Sequence, residues 1–321
     1  METGEDLTKV LDAWRGILGE PEIGAKVPGR DLWPVFSEHG RRCLLKRLSP
    51  WRNLPEADEA RVLQHLAASG VSVAGFMITD RGGSFAEVDD RRYLLLPWLD
   101  HDHLPAAELI KVEEAAGRAA AGLHRALADY PWPANSYTEK LIDALEGELL
   151  LPPDLLAAYA EQRAAVITAL TGLPVQLVHG DLNPGNVLLR RGGVAGFIDF
   201  DHLPLAPRIW DVGKYLSRRL RRTGREAGFS TADGLRHVTT FLRGYQHDHP
   251  LTPRELAAVP IMILAGNVIE ASYFEEIRSG KLDRRRLDDH DEVLRDTIEA
   301  ARWQLGHPDL VADAVRSAAP A

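Results

Sequence analysis

Cysteine is the scarcest reactive residue in this sequence: Cys43 is the only one among 321 residues. A single thiol excludes an internal disulfide and any multi-thiolate zinc site. The apolar run around it, Arg42 to Leu48, predicts a buried, inert side chain. Long apolar stretches are also scarce. None approaches the roughly 20 residues a membrane-crossing helix needs, and the start METGEDLTKV is acidic where a secretory signal would be basic and then apolar. A soluble, cytoplasmic chain without a membrane partner is expected. Positive charge is in deficit as well, with 38 Lys and Arg against 47 Asp and Glu and a formal net charge of -9. Nucleic-acid binding needs concentrated basic residues to replace counterions, so that class of partner is excluded and neutral or cationic ones fit better. The one dense basic run, Arg218, Arg219, Arg221, Arg222 and Arg225, reads as a solvated helix face ahead of a phosphate-binding patch.

What is present points to two parts. Hydrophobic residues make up 45% of the chain, enough for one large core or two modest ones. Up to residue 99, short apolar stretches alternate with turn signals at Pro28-Gly29, His39-Gly40 and Arg81-Gly82-Gly83, which predicts a lobe of short strands. Arg42 to Leu48 reads as a central strand, and Glu56 to Ala68 as a helix from the spacing of Val62, Leu63 and Leu66. Pro34 removes a ladder donor from a neighbouring strand and implies an edge or a bulge there. Beyond Pro105 the period changes. Leu109, Val112, Ala116, Ala119, Leu123 and Leu127 recur at three and four residues, as on an amphipathic helix. Further helices are expected around 153–170, 207–222, 231–247 and 253–276, the last opened by a capping box at Thr252 and Glu255 with Pro253 at its first position. The expected domains are therefore 1–99 and 100–321.

One interruption of the helical part carries chemistry. Val175 to Val178 is a short apolar strand that runs into His179-Gly180-Asp181-Leu182-Asn183-Pro184-Gly185-Asn186, a loop crowded with turn formers and oxygen donors. Val187 to Leu189 then passes through Arg190-Arg191-Gly192-Gly193 into Val194 to Asp199, a predicted hairpin that returns Asp199 beside Asn186. Hard divalent cations take oxygen ligands, so Asn186 and Asp199 form a candidate magnesium pair. Asp181 is then free to accept a hydrogen bond from an attacking hydroxyl and aim it at a phosphoryl group. Lys46 on the first lobe's central strand can meet nucleotide phosphates, with Glu59 on the following helix as its partner and Glu56 and Asp58 as substitutes if the register differs.

These residues resemble the aminoglycoside phosphotransferase family, which includes choline-kinase-like and type II homoserine-kinase-like enzymes. The resemblance rests on His179 to Asn186, then Phe197-Ile198-Asp199-Phe200-Asp201, then Arg208-Ile209-Trp210-Asp211. Leu44-Leu45-Lys46, Asp58-Glu59-Ala60, Leu95 to Leu99 and Gly117 to His124 support it. It implies an α+β, protein-kinase-like bilobal fold with a small β-rich N-lobe and a larger, mainly helical C-lobe that holds the catalytic loop 179–186 and metal motif 197–201. It implies ATP, or GTP, with magnesium in a cleft. Asp181 would be the base, Asn186 and Asp199 the metal ligands, and Lys46 with Glu59 the phosphate anchor. Leu96, Pro97 and Leu99 would offer backbone groups to the adenine edge, His179 would brace the loop, and Asp211 would cap its backbone. The sequence departs from the pattern at the phosphate-covering loop, where Val27 to Trp33 has one glycine and no GxGxxG.

Other features are open to two readings. Asp201 fits a second metal ligand or a structural role. His101, Asp102 and His103 alternate like ligands but follow a hinge and read as solvent-facing. Trp33, Trp98 and Trp210 read as packing. In this family the acceptor site follows the metal motif, which makes Glu270, Tyr273, Glu275 and Glu276 candidates for gripping a cationic acceptor. The expected function is phosphorylation of a hydroxyl on a small molecule, an amine-bearing natural product or antibiotic such as an aminoglycoside, or a metabolic acceptor of the homoserine, choline or hexosamine type. A reading of another class is a metal-dependent phosphatase, with Asp199 and Asp201 as its DxD pair. A nucleotide-binding protein without catalysis is a third, and the presence of Asp181 speaks against it.

Overall fold

The structure is a computed structural model that describes residues 6–48, 55–131, 137–227, 232–282 and 290–318. The chain forms two compact units. One is Met1–Asp100 with Gly196–His202, and the other is His101–Ala195 with Leu203–Ala321.

The first unit is built on an antiparallel sheet of β1 (Glu22–Ile23), β2 (Leu32–Phe36), β3 (Arg42–Arg47), β4 (Ala86–Val88) and β5 (Arg91–Pro97), ordered β1-β2-β3-β5-β4. Strand alternation divides β3 cleanly. Cys43 and Leu45 turn inward with Trp33 and Val35 of β2 and Tyr93 and Leu95 of β5, and the short helices α1 (Leu7–Leu11) and α2 (Arg15–Leu18) close this core with Val10, Leu11 and Leu18, joined by Trp14 between them. Each such fully buried apolar side chain stabilises by about 1.5–3 kcal/mol. Lys46 falls on the opposite face of the strand from Leu45. Pro34 pairs with Leu44 inside the sheet, so β2 is not an edge strand. Its carbonyl accepts the Gly24 N–H at 2.8 Å, just where two-residue β1 ends, so the missing donor costs no ladder bond. Helix α3 (Glu56–Ala68) follows β3, with Glu56, Asp58 and Glu59 in its first turn where the helix dipole favours carboxylates.

The second unit contains α4 (Ala106–Ala128), α5 (Tyr137–Glu146), α6 (Pro153–Leu170), α7 (Ile209–Ala227), α8 (Ala232–Asp248), α9 (Pro253–Arg278), α10 (His290–Gly306) and α11 (Pro308–Arg316). Helices α4 and α8 cross at two glycines. A Cβ on Gly117 would lie 2.0 Å from the Phe241 carbonyl oxygen, and one on Gly244 2.0 Å from that of Glu114, so only glycine permits this approach. Helix α9 carries the full capping box of Thr252 and Glu255 with Pro253 in its first turn. Contrary to the sequence reading, α9 is long and apolar enough by length and composition to cross a membrane, yet 67% of its apolar window is buried inside the protein, as in a core helix.

Short strands frame the loop at residues 179–186. Strand β6 (Val175–Leu177) pairs antiparallel with β9 (Leu205–Pro207), Val175 opposite Pro207 and Leu177 opposite Leu205. That register lays the chain leaving β6 beside the chain entering β9, where Val178 donates its N–H to the Pro204 carbonyl at 3.0 Å and Leu203 its N–H to that of His179 at 3.3 Å. Strands β7 (Val187–Arg190) and β8 (Gly193–Phe197) form the expected hairpin. Gly196–His202 belongs to the first unit, because Phe197 donates its N–H to Ser72 at 2.9 Å and bridges Val73 in parallel. Gly196 makes this seat possible, since a Cβ there would lie 2.9 Å from both the Ser72 carbonyl and Leu99.

Candidate active site

In the first unit the Lys46 ammonium lies 2.5 Å from Asp199 Oδ1 and 3.9 Å from Asp201 Oδ2. The sequence reading gave Lys46 to Glu59; in the structure its ion pairs among the described residues are with these two aspartates. Glu59 is 4% exposed on α3, whereas Glu56 meets Arg92 at 3.4 Å and Asp58 binds Arg61. Asp199 holds a left-handed backbone, φ 69°. A non-glycine residue there carries about 1–3 kcal/mol of strain, which persists only where surroundings fix it and which clusters at functional sites. Leu96 and Pro97 lie on β5 opposite Leu44 and Cys43, and Pro97, lacking an N–H, has only its carbonyl to offer a base edge.

In the second unit the loop at residues 179–186 is hung from a buried carboxylate. Asp211, in the first turn of α7, accepts the His179 N–H at 2.8 Å, the Gly180 N–H at 2.9 Å and His124 Nε2 at 3.0 Å. His124 is fixed in turn through Nδ1 by the Tyr245 hydroxyl, 2.7 Å away. Burial opposes the charge on Asp211, but the hydrogen bond from His124, with His124 and His179 nearby, holds its carboxyl below the usual range. Gly180 turns the chain at φ 84°, and its carbonyl accepts Trp210 Nε1 at 3.2 Å. The Asp181 N–H donates to His179 Nδ1 at 3.3 Å.

Asp181 is held on every side. Its Oδ2 accepts Asn183 Nδ2 at 3.1 Å and Asn186 Nδ2 at 3.2 Å, and the same amides donate to its main-chain oxygen at 3.0 and 2.9 Å. Its Oδ1 lies 2.5 Å from Lys214 Nζ and 3.9 Å from Arg218. Burial works against this carboxylate's charge, and the two cations outweigh it, so the carboxyl sits far below its ordinary value. Because both partners of the Asn186 amide group are oxygens, its nitrogen must face them, which turns Oδ1 outward as a hard donor.

The sequence reading missed Lys214 and Arg218 and took the arginine run for a solvated face. Arg222 and Arg225 are exposed, but Arg219 is 1% exposed and lies 3.2 Å from Glu113, while Arg218 and Arg221 each reach Glu270 at 2.6 Å. The signal was present: Asp211, Lys214, Arg218 and Arg221 follow at three, four and three residues, one stripe of α7. Glu270, one of the candidates for gripping a cationic acceptor, is held by two guanidiniums. Glu275 binds Arg278 at 2.8 Å, the Tyr273 ring stands edge-on to Phe274 at 5.5 Å, and Glu276 is half-buried. Asp102, offered as a possible ligand, ties its loop to the hairpin by accepting the Arg191 N–H at 2.7 Å.

The model of the phosphotransferase enzyme family matches residues 37–256, more than half of the chain and all of the segments just described from Lys46 to Asp211. The chain belongs to this family. This is a family of phosphotransferases with small-molecule kinases among the relatives, which speaks against the phosphatase reading. It is 35% identical over 221 residues to a glucosamine kinase of Mycolicibacterium smegmatis, 63% of this chain and 52% of that one. It is 26% identical over 215 residues to a homoserine kinase of Beijerinckia indica, 64% of each. The match thus spans less than two thirds of these relatives' own lengths. Among solved structures, an amicoumacin kinase in complex with AMP-PNP and Ca2+ superposes with TM-score 0.67 at 18% identity over 88% of each chain. An aminoglycoside phosphotransferase from Alicyclobacillus acidocaldarius gives 0.66 at 16% over 98% of each. The fold is the protein-kinase-like one expected, an antiparallel-sheet N-terminal lobe and a helical C-terminal lobe.

Proposed function

We propose that this phosphotransferase moves the γ-phosphoryl of ATP, with magnesium, to a hydroxyl of a small amine-bearing molecule. The observation that carries the reading is the Asp181 carboxylate, kept charged by Lys214 at 2.5 Å and oriented by Asn183 and Asn186. A carboxylate held this way accepts the acceptor's hydroxyl hydrogen bond and aims its oxygen at the phosphorus. Lys46 neutralises nucleotide phosphate, and Leu96, Pro97 and Leu99 offer main-chain groups to the base.

The donor set fits magnesium. Asn186 Oδ1, turned outward by the amide's bonds to Asp181, and the Asp199 carboxylate are hard oxygen donors of the kind that hold Mg2+ together with substrate phosphates. When bound, the ion offsets negative charge on the phosphate chain.

For the acceptor, the named relatives and structural neighbours act on glucosamine, homoserine, amicoumacin and aminoglycosides, all carrying an amine beside hydroxyls. An antibiotic of aminoglycoside type and a metabolic amino alcohol both fit. Tyr273, Glu275 and Glu276 remain the candidates for the acceptor's amine, since Glu270 is engaged by arginines. The test is acceptor-dependent ATP consumption with magnesium across glucosamine, homoserine, choline and kanamycin. Turnover with one of them is expected. Release of phosphate from simple monoesters without ATP, and no acceptor-dependent consumption with any, would refute it.

A further inference from the structure

We propose that Lys214 is a positioning residue for the phosphoryl transfer, the cation that leaves Asp181 one open acceptor position and fixes which way it faces. This role rests on the assignment of Asp181 as the group that orients the acceptor hydroxyl.

A carboxylate has about four lone-pair sites. Three are taken, by Asn183 and Asn186 on Oδ2 and by Lys214 on Oδ1. One remains for the incoming hydroxyl. The asparagine amides also hold the loop's main chain and so come with the fold of residues 181–186, whereas Lys214 arrives from a different element, α7. Its ammonium lies 3.5 Å from the Gly180 carbonyl as well as on Asp181, and stands 5.9 Å from the centre of the Trp210 ring. The lysine therefore ties the carboxylate to the same helix whose Asp211 carries the backbone of the loop.

The next positions on the stripe back it up. Arg218, one turn on, lies 3.9 Å from Asp181 Oδ1, too far for a hydrogen bond, and is held off by Glu270 Oε1 at 2.6 Å. The other Glu270 oxygen binds Arg221 at 2.6 Å, and Arg221 bonds Thr297 on α10. With Lys214 removed, Oδ1 has a second open site and a guanidinium within reach, so the carboxylate can swing toward Arg218. Misplacement of a reacting group by about 1 Å costs on the order of 100-fold in rate.

The experiment needs no knowledge of the acceptor, because water can serve: phosphate release from γ-labelled ATP with magnesium by the full chain. Lys214→Met should lower release by about 100-fold while nucleotide affinity stays at the wild-type value. Propylammonium should restore at least part of the rate to Lys214→Ala and none to Asp181→Asn. Wild-type release by Lys214→Met, or a loss in Lys214→Ala that propylammonium does not touch and that follows a lowered melting temperature, overturns the role. Equal release by wild type and Asp181→Asn instead overturns the Asp181 assignment, and the positioning role with it.

Discussion

The carboxylate of Asp211 accepts the backbone N–H of Gly180 at 2.9 Å, so a residue in the first turn of α7 carries the loop that holds Asp181. Its second oxygen takes the His179 N–H and His124 Nε2, and the side chain is fully buried.

Asp211→Asn keeps the shape but points an N–H2 group at buried donors. Leaving one buried donor unmatched costs about 1–3 kcal/mol, and the urea midpoint should fall accordingly. The charged form of Asp211 is favoured in the fold, so its contribution is present above the ordinary carboxyl value of 3.8 and fades as pH falls below it. Asp211→Asn should lose that acid-side dependence; an unchanged midpoint would show that the three hydrogen bonds do not hold the loop.

Asp181 and Asp199 should separate binding from transfer. Asp181→Ala is expected to bind Mg·ATP as wild type does and to lower transfer by about 100-fold or more. Asp199→Ala is expected to weaken nucleotide binding only when magnesium is present, and to leave metal-free binding little changed. Full turnover by Asp181→Ala, in an acceptor assay or by phosphate release, would remove the orienting role.

Periodicity made most elements legible. The helices at 56–68 and 153–170 match their predicted bounds, and the capping box of α9 forms as its residues imply. What the sequence could not reveal is partnership across distance. Strand order hides that Phe197 docks on Ser72, which moves Asp199 into the first unit with Lys46. The arginine run misled because charge runs are judged by composition, and composition does not say that Glu113 and Glu270 stand opposite them. The three-four-three stripe from Asp211 to Arg221 did contain the answer, since a face that begins with a buried aspartate cannot be wholly solvated. Likewise, the apolar length of α9 is visible only when its polar members Glu255, Asn267 and Glu270 are averaged in.

Two glycines of α4 should respond in opposite directions to the same change. Gly117→Ala places a methyl 2.0 Å from the Phe241 carbonyl oxygen and must push α4 from α8, a cost of about 1–3 kcal/mol. Gly122 has nothing within 4 Å of its would-be Cβ, so Gly122→Ala should gain roughly 0.5–1 kcal/mol of helix propensity. Thermal melts of the two variants decide the matter: equal shifts would mean that the crossing is not tight at Gly117.

His249 should make the protein lose stability on mild acidification. Partial burial, then the nearby charges of Arg208 and Arg125 and the ring of His124, push its imidazole down to about 4 from the ordinary 6.5, against a smaller opposite pull from Glu255. The unfolded chain therefore takes up this proton near 6.5 and the folded one only near about 4, so unfolding is favoured progressively as pH falls through that window. Its contribution is fully present above the upper limit. His249→Gln cannot bind the proton in either state, and its melting temperature should fall less than wild type's between pH 7 and pH 4.5. Below the lower limit, where the wild-type histidine is charged in both the folded and the unfolded chain, the two curves should run parallel with wild type the lower. If they run parallel across the window, the histidine is protonated in the folded protein at its ordinary value and Arg208 does not act on it.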